Sequence, residues 1–318
     1  MDLTHATEWV ARRVDAGAYP NAVLGIADSS GIVSIEAFGG ASADDHFPLF
    51  SITKPIVALA ALRLIEEGKL AGGTPLTDAV PEFTGVRPDP VVLDHLVSHT
   101  AGMVEPGLDA PLRDSLLAPG RRFIAGKITA YSSIAYEGVA ALIEHAGGSP
   151  WADQTLTNIA RSGAEGFTFD AESSRHVPAG LQAHPFDWER FITLAHPGAG
   201  LFGRAADLLA VGSALLRDDG TLVQPVTNEW MRRPRTTGLP RLEPFTEDRP
   251  VEWGFSWNLP RDPALLTADS FGHGGWNGTQ FMVTPSRDRC LVLLTSVIAP
   301  PGQHNPDLTG LINAVNAA

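Results

Sequence analysis

The chain has 318 residues, of which 44% are hydrophobic and 19% charged, and its formal net charge is −13 at pH 7. This composition is typical of a globular protein with ample core, and the negative charge argues against nucleic acids and anionic membranes as partners. No apolar run approaches the roughly 18 residues that a membrane span needs, and the first residues lack a signal-peptide pattern, so a cytoplasmic location is expected.

The first predicted elements are a helix and a β-hairpin. Residues 4–16 carry apolar side chains at helical spacing, which predicts an amphipathic helix. The apolar runs 22–27 and 32–37 flank an Asp-Ser-Ser-Gly turn sequence, which predicts two antiparallel strands. A glycine-rich loop then leads to Ser51 and to the helix that follows it.

Ser51 and Lys54 form the only S-x-x-K sequence of the chain. Residues three apart on a helix have Cβ atoms roughly 5–6 Å apart, so the two side chains can meet. The apolar residues after Lys54 predict a buried helix, and burial favours the neutral amine that could take the proton of a serine nucleophile. Serine is also favoured as a helix N-cap, and for S-x-x-K alone a capping role is the simpler interpretation. Two facts shift the balance towards catalysis: the chain has only three lysines, and a buried lysine is a poor choice unless it does chemistry. The rest of the chain has to decide between the two interpretations.

The rest of the chain predicts helices in the middle and strands towards its end. From Ser51 to about residue 200 we expect helices and long loops. One antiparallel sheet built from both ends of the chain, with a helical region inserted, satisfies this pattern and predicts an α+β fold with the active site between two domains. The expected elements are a helix at 201–217, strands at 251–258, 278–284 and 289–298, a last helix at 307–315, a sheet domain of residues 1–48 and 200–318, and a helical domain of residues 49–199.

Several short motifs follow the hairpin in a fixed order. They are S-x-x-K at Ser51, L-V-S-H-T-A-G-M at 96–103, Y-S-S at 131–133, A-G-L-F-G at 199–203 and H-G-G at 273–275. Each is weak by itself, but the ordered set covers nearly the whole chain. It resembles the serine β-lactamase and penicillin-binding-protein superfamily, in its class C β-lactamase-like branch with esterases and transacylases. The resemblance implies a β-lactamase/transpeptidase-like fold and catalysis through an acyl-enzyme.

The resemblance also implies a role for each matching residue. Ser51 would be the acylated nucleophile, Lys54 its proton partner, and Tyr131 the second general base and acid. The backbone N–H groups of Ser51 and Trp276 would form the oxyanion hole. The residues expected to contact the substrate are Ser133, His273, Gly274 and Gly275.

Two positions depart from the family pattern. Ser133 stands where the family has the asparagine of Y-x-N, and His273 stands where β-lactamases have the lysine of K-T-G. In the family these two residues contact the substrate amide and carboxylate, so both changes weaken the case for β-lactamase and peptidase activity. An extra stretch at 121–130 indicates that access to the site also differs.

Three other patterns have simpler interpretations than the chemistry they resemble. The G-x-G-x-x-G at 198–203 lacks the second strand and its acidic residue that a dinucleotide site needs, which favours a close-packed turn. His95 and His99 have metal-ligand spacing but no evident third ligand, which favours a structural role. Cys290 lies in an apolar run and is expected to be a buried strand thiol. We therefore expect no cofactor and no metal.

The sequence thus predicts a serine hydrolase that acts through an acyl-enzyme on Ser51, with a small-molecule ester or amide as substrate. Hydrolysis of small esters is the first choice, and transfer of the acyl group to an amine or alcohol is the close second. A β-lactamase or D-amino-acid peptidase is a further alternative. A binding protein that has lost turnover is the last, and the intact Ser51, Lys54 and Tyr131 argue against it. The oligomeric state stays open.

Overall fold

The computed structural model describes residues 2–174, 176–242, 251–260, 264–301, 303 and 307–318. Its strands lie near the two ends of the described chain, apart from one short pair. They are β1 (Ala22–Asp28), β2 (Gly31–Phe38), β3 (Phe47–Pro48), β4 (Phe202–Gly203), β5 (Val251–Trp253), β6 (Asn258–Pro260), β7 (Phe271–Gly274), β8 (Gln280–Thr284) and β9 (Arg289–Thr295).

Strands from both chain ends form one seven-stranded sheet in the order β2-β1-β9-β8-β7-β6-β5. All neighbouring strands are antiparallel, and β1 pairs with β9 in a register that places Ala22 opposite Thr295. The first hairpin and the last strands of the chain therefore meet in the centre of the sheet. The predicted α+β arrangement is confirmed, while the boundaries of the two domains stay a prediction.

Helices cover both faces of the sheet. The terminal helices, Thr4–Asp15 and Thr309–Ala317, pack together on one face over a core that includes Trp9 and Leu311, and the helix Ala205–Arg217 packs on the other. Among the described helices, none is both long and apolar enough to cross a membrane. The helices are α1 (Thr4–Asp15), α2 (Thr53–Glu66), α3 (Leu93–Val97), α4 (Leu112–Leu116), α5 (Ala135–Gly147), α6 (Trp151–Ala160), α7 (Trp188–Thr193), α8 (Ala205–Arg217), α9 (Pro225–Met231) and α10 (Thr309–Ala317).

Helix α2 is the central helix of the inserted region. Every residue from Thr53 to Leu62 is buried, and the helix packs against α5 and α6. A helix that is apolar on all sides is expected in the interior rather than at a surface. Its second residue, Lys54, is 0% exposed, so the fold holds an ionisable side chain in its core.

Several predicted boundaries differ from the structure. The helix expected from residue 201 begins at Ala205, because Phe202 and Gly203 pair with β3. The strand expected at 251–258 is two strands, β5 and β6, joined by a tight turn in which the Gly254 N–H donates to the Trp257 carbonyl. Strand β7 was not predicted, because Phe-Gly-His-Gly lacks the alternation of apolar and polar residues on which strand prediction depends.

Candidate active site

Ser51 lies in a short 3-10 turn, Phe50–Ile52, directly before α2. Phe50 has φ +44°, a left-handed conformation that is strained for a residue with a side chain. Its buried ring is stacked on Phe191 at 5.4 Å between ring centroids and meets Trp276 edge-on at 5.7 Å. These contacts hold the strained residue in place and so position the neighbouring Ser51 hydroxyl.

The Lys54 ammonium lies within hydrogen-bond distance of three oxygens. Its Nζ is 3.1 Å from Ser51 Oγ, 3.1 Å from Ser133 Oγ and 2.8 Å from the Gly198 carbonyl oxygen. In the described part of the chain, no carboxylate lies at ion-pair distance from it. Burial lowers the pKa of Lys54 to about 7, although the charge of Glu105 acts in the opposite direction. A substantial fraction of this lysine is therefore neutral at pH 7 and can accept a proton.

Tyr131 approaches Ser51 from the segment that precedes α5. Its hydroxyl is hydrogen-bonded to the Ser51 side chain, and its ring centroid lies 4.8 Å from Lys54 Nζ. Burial raises the pKa of Tyr131 well above its usual value, and the bond to Ser51 only partly offsets this. The phenol therefore stays protonated at neutral pH, which suits a group that relays a proton rather than one that first removes it.

The segment after Tyr131 is held by a residue to which the sequence analysis gave no role. The Ser133 N–H donates to a Glu105 carboxylate oxygen at 2.7 Å, and the Ser132 hydroxyl is hydrogen-bonded to the same carboxyl group. Burial of this carboxyl raises its pKa, whereas these hydrogen bonds and the charge of Lys54 lower it. An isolated glutamate in a loop is not distinguishable by sequence from a surface residue, so no signal pointed to Glu105.

Three buried histidines surround the lysine. His99 and His196 each accept a backbone N–H bond on Nδ1, and Nδ1 of His273 lies 2.8 Å from the Gly274 carbonyl oxygen. Burial and the charge of Lys54 lower the pKa of His196 and of His273 to about 3, and that of His99 well below its usual value. All three rings are therefore neutral at pH 7. His273 supplies no fixed positive charge where β-lactamases have lysine.

The backbone at Gly275 and Trp276 packs against the segment that carries Ser51. A Cβ atom on Gly275 would lie 2.7 Å from the Leu49 carbonyl oxygen, so only glycine allows this approach. The neighbouring Asn277 amide donates to the Pro48 carbonyl at 2.9 Å and ties the two segments together. The oxyanion hole formed by the N–H groups of Ser51 and Trp276 stays a prediction.

Half-buried aromatic rings line the same end of the site. We call Phe186, Trp188 and Trp276 the aromatic wall; the buried rings of Phe50 and Phe191 lie behind it. Trp276 meets Phe186 edge-on at 5.4 Å. The loop carrying Phe186 is tied to the loop after α3, because the Asp187 N–H donates to the Asp109 carboxylate at 3.0 Å.

The structure also bears on the three patterns with simpler interpretations: the G-x-G-x-x-G turn, the histidine pair with metal-ligand spacing, and Cys290. A Cβ atom on Gly198 would lie 2.9 Å from the Ser133 carbonyl oxygen, so the glycine-rich turn at 198–203 packs closely beside Lys54. Within the described ranges, no group of three His, Cys, Asp or Glu side chains could hold a metal ion. Cys290 is buried in β9, where burial raises the pKa of its thiol.

A family model described as Beta-lactamase matches residues 6–314. Esterase EstB of Burkholderia gladioli is 27% identical over 349 aligned positions, which cover 91% of this chain and 86% of that protein.

Solved structures share the fold at lower identity. EstCE1, described as a hydrolase with promiscuous acyltransferase activity, is 21% identical with a TM-score of 0.79, and the match covers 99% of this chain and 98% of that one. Simvastatin synthase (LovD) from Aspergillus terreus is 18% identical with a TM-score of 0.79, covering 100% and 98%. These matches extend over the whole chain and confirm the β-lactamase/transpeptidase-like fold.

Proposed function

The chain belongs to the beta-lactamase family, and from this premise we propose that it is a serine hydrolase that cleaves small esters through an acyl-enzyme on Ser51. The observation that carries the proposal is the contact between Ser51 Oγ and the buried Lys54 Nζ at 3.1 Å. A serine hydroxyl becomes a useful nucleophile when an adjacent base takes its proton. A lysine with a pKa of about 7 can be that base at neutral pH.

The proposed reaction has two halves. Neutral Lys54 accepts the Ser51 proton while Oγ attacks the ester carbonyl carbon, and the backbone N–H groups of Ser51 and Trp276 stabilise the oxyanion. The C–O bond to the alcohol then breaks, and the alcohol leaves with a proton passed from Lys54 through Tyr131. In the second half a water gives one proton to the same pair of residues and attacks the acyl carbon. The bond between the acyl carbon and Ser51 Oγ then breaks, the pair returns the proton to Oγ, and the carboxylic acid leaves.

The neutral state of His273 favours esters over β-lactams and peptides that carry a carboxylate. Two arginines could have replaced the missing positive charge, but both have other partners. Arg235 is paired with Asp94 at 3.3 Å, and Arg241 with the buried Glu252 at 2.9 Å. Neither arginine replaces the lysine of K-T-G as a partner for a substrate carboxylate, which supports uncharged esters as the substrate class.

The aromatic wall supports an apolar group on one side of the ester. Half-buried Phe186, Trp188 and Trp276 expose part of their rings beside the turn that carries Ser51. Apolar groups gain roughly 25 cal/mol for each Å² of surface that they remove from water. The similarity to an esterase of Burkholderia gladioli supports the same reaction class.

Acyl transfer is the second candidate function. The described activity of EstCE1 includes promiscuous acyl transfer, and LovD is named a synthase. Transfer to an amine or alcohol has the same first half-reaction and differs only in which nucleophile attacks the acyl-enzyme. Partition of the acyl group between water and an added alcohol would separate the two functions.

Intact-protein mass spectrometry tests the proposal. The protein is exposed separately to p-nitrophenyl butyrate, a fluorophosphonate and a penicillin. We expect a butyryl adduct that disappears with time, a stable phosphonyl adduct on the peptide that contains Ser51, and little penicilloyl adduct. A stable adduct on a peptide without Ser51 would contradict the mechanism. Dominant reaction with penicillin would support a β-lactamase instead.

A further inference from the structure

Glu105 links two parts of the site. Its carboxylate accepts the Ser133 N–H at 2.7 Å and is hydrogen-bonded to the Ser132 hydroxyl, so it anchors the two residues that follow Tyr131. The side chain of Ser133 in turn accepts a hydrogen bond from Lys54 Nζ at 3.1 Å. Ser133 therefore contacts both the Glu105 carboxylate, through its N–H, and the Lys54 ammonium, through its hydroxyl.

Of the titratable groups that face Lys54, most are neutral at pH 7 and one is negatively charged. The titratable groups around it are His99, His196 and His273, which are neutral rings at pH 7, together with two phenols. The phenols are Tyr131 and Tyr136, whose rings lie 4.8 and 5.4 Å from Nζ and whose pKa values are raised by burial. Among the described groups that act on Lys54, Glu105 supplies the negative charge.

A negative charge matters at one step of the reaction. When Ser51 transfers its proton, Lys54 becomes an ammonium ion inside the protein, and burial disfavours that charged form. A carboxylate nearby stabilises the ammonium and leaves the neutral amine almost unaffected, so it acts where positive charge develops. It also holds the Tyr131 segment while the proton moves to the leaving group.

We propose that Glu105 is a positioning residue of the proton-transfer system: its carboxylate anchors the segment of Tyr131 and Ser133 and supplies the counter-charge for the ammonium form of Lys54. The catalytic consequence rests on the proposed function, but the effect on Lys54 does not. The competing interpretation is a surface glutamate that only fixes a loop, since Glu105 as a whole residue is exposed although its carboxylate contacts Ser132 and Ser133.

Two substitutions separate charge from anchoring. Glu105→Gln removes the charge and keeps a side-chain oxygen that can accept the Ser133 N–H, while Glu105→Asp keeps the charge on a shorter side chain. Glu82→Gln makes the same change of net charge at an exposed glutamate in another turn and is the matched control.

NMR of protein labelled with ¹³C at lysine Cε measures the charge of Lys54 without any turnover. The chain has only three lysines, and the exposed Lys69 and Lys127 serve as internal references. We expect Glu105→Gln to lower the pKa of Lys54 by roughly one unit, as the loss of a nearby opposite charge does. Glu105→Asp and Glu82→Gln should leave it near the wild-type value. An unchanged Lys54 titration in Glu105→Gln overturns the inference, and should that variant not fold, a shift of similar size in Glu105→Asp overturns it instead.

A second experiment measures how the rate at which the fluorophosphonate modifies Ser51 depends on pH. In Glu105→Gln the acidic limb, in which the rate rises with pH, should move to lower pH with the Lys54 titration. The plateau rate should fall by roughly 10-fold or more, because a positioning residue carries only part of the roughly 10²- to 10⁴-fold that a proton transfer contributes. An unmoved limb would overturn the counter-charge role, and a moved limb with an unchanged plateau would overturn its consequence for catalysis. If the wild type does not react with any acyl or phosphonyl reagent, the proposed function fails while the lysine titration still decides the role of Glu105.

Discussion

The Nζ atom of Lys54 lies 3.1 Å from the Oγ atom of Ser51, at the buried start of α2. A lysine in water is protonated at neutral pH and could only donate to a serine hydroxyl. Inside this protein burial lowers the lysine pKa to about 7, so the same contact can carry the proton in either direction.

Loss of the Ser51 hydroxyl should abolish turnover. We expect Ser51→Ala to lower kcat for p-nitrophenyl butyrate by roughly 10⁴-fold or more, because no other atom can form the acyl-enzyme. The fold should be unchanged by circular dichroism. Ser149→Ala, at an exposed serine, is the control and should keep full activity. An active Ser51→Ala enzyme would refute the nucleophile.

Activity should rise with pH through neutrality. Lys54 must be neutral to accept the serine proton, and its pKa is lowered from 10.5 to about 7. Below that value the protonated fraction dominates, so kcat/KM should fall about tenfold for each pH unit towards acid. Rates for an uncharged ester between about pH 5.5 and 9 measure this limb. A profile that falls as the pH rises from 6 to 8 would contradict the assignment of Lys54 as base.

Lys54 and Tyr131 should act as one unit. Both contact the Ser51 side chain, and the proton has to pass between them. We expect Lys54→Ala and Tyr131→Phe each to remove most of the rate, and the double variant to be little worse than the poorer single variant, as is usual for residues that act together. The measurement is kcat for one ester in all four proteins. If the losses of kcat in the two single variants add in the double variant, the two residues have independent roles. A Tyr131→Phe enzyme with the wild-type kcat would remove Tyr131 from the mechanism.

Uncharged esters should be better substrates than β-lactams. Burial lowers the pKa of His273 to about 3, so it cannot provide the charged hydrogen bond of roughly 1.5–3 kcal/mol that a substrate carboxylate would use. The test compares kcat/KM for p-nitrophenyl butyrate, nitrocefin and a D-Ala-D-Ala peptide, in the wild type and in His273→Lys. The lysine should raise activity on nitrocefin relative to the ester. The ester preference is refuted if nitrocefin or the peptide is the better wild-type substrate.

The aromatic wall should set the preference for apolar acyl groups. Phe186→Ala removes a half-buried ring that packs on Trp276 at 5.4 Å. We expect the ratio of kcat/KM for p-nitrophenyl butyrate over acetate to fall about fourfold, the equivalent of ~0.8 kcal/mol or one buried methylene. Val226→Ala changes an exposed residue of α9 and is the control. An unchanged ratio in Phe186→Ala would show that the acyl group binds elsewhere.

The local part of the site could be predicted from the sequence, because it depends on helix geometry over a few residues. S-x-x-K at a helix start places Ser51 beside Lys54 whatever surrounds them, and the apolar run that follows predicts burial of the lysine. The pattern of strands at both chain ends with helices between them predicted the sheet, and the order of short motifs resembled a family whose fold matches the structure. Where periodicity was weak, as in the Phe-Gly-His-Gly of β7, the prediction missed the strand.

Only the tertiary structure determined which distant groups meet at Lys54. Tyr131 and Ser133 come from the segment before α5, Gly198 from a turn that has no room for a side chain, and Glu105 from a loop with no recognisable pattern. The charge states of His99 and His273 also depend on the fold, because they result from burial next to a positive charge. Desolvation and Coulomb interactions act over distance in space, so residues far apart in the chain set each other's pKa only after packing has brought them together.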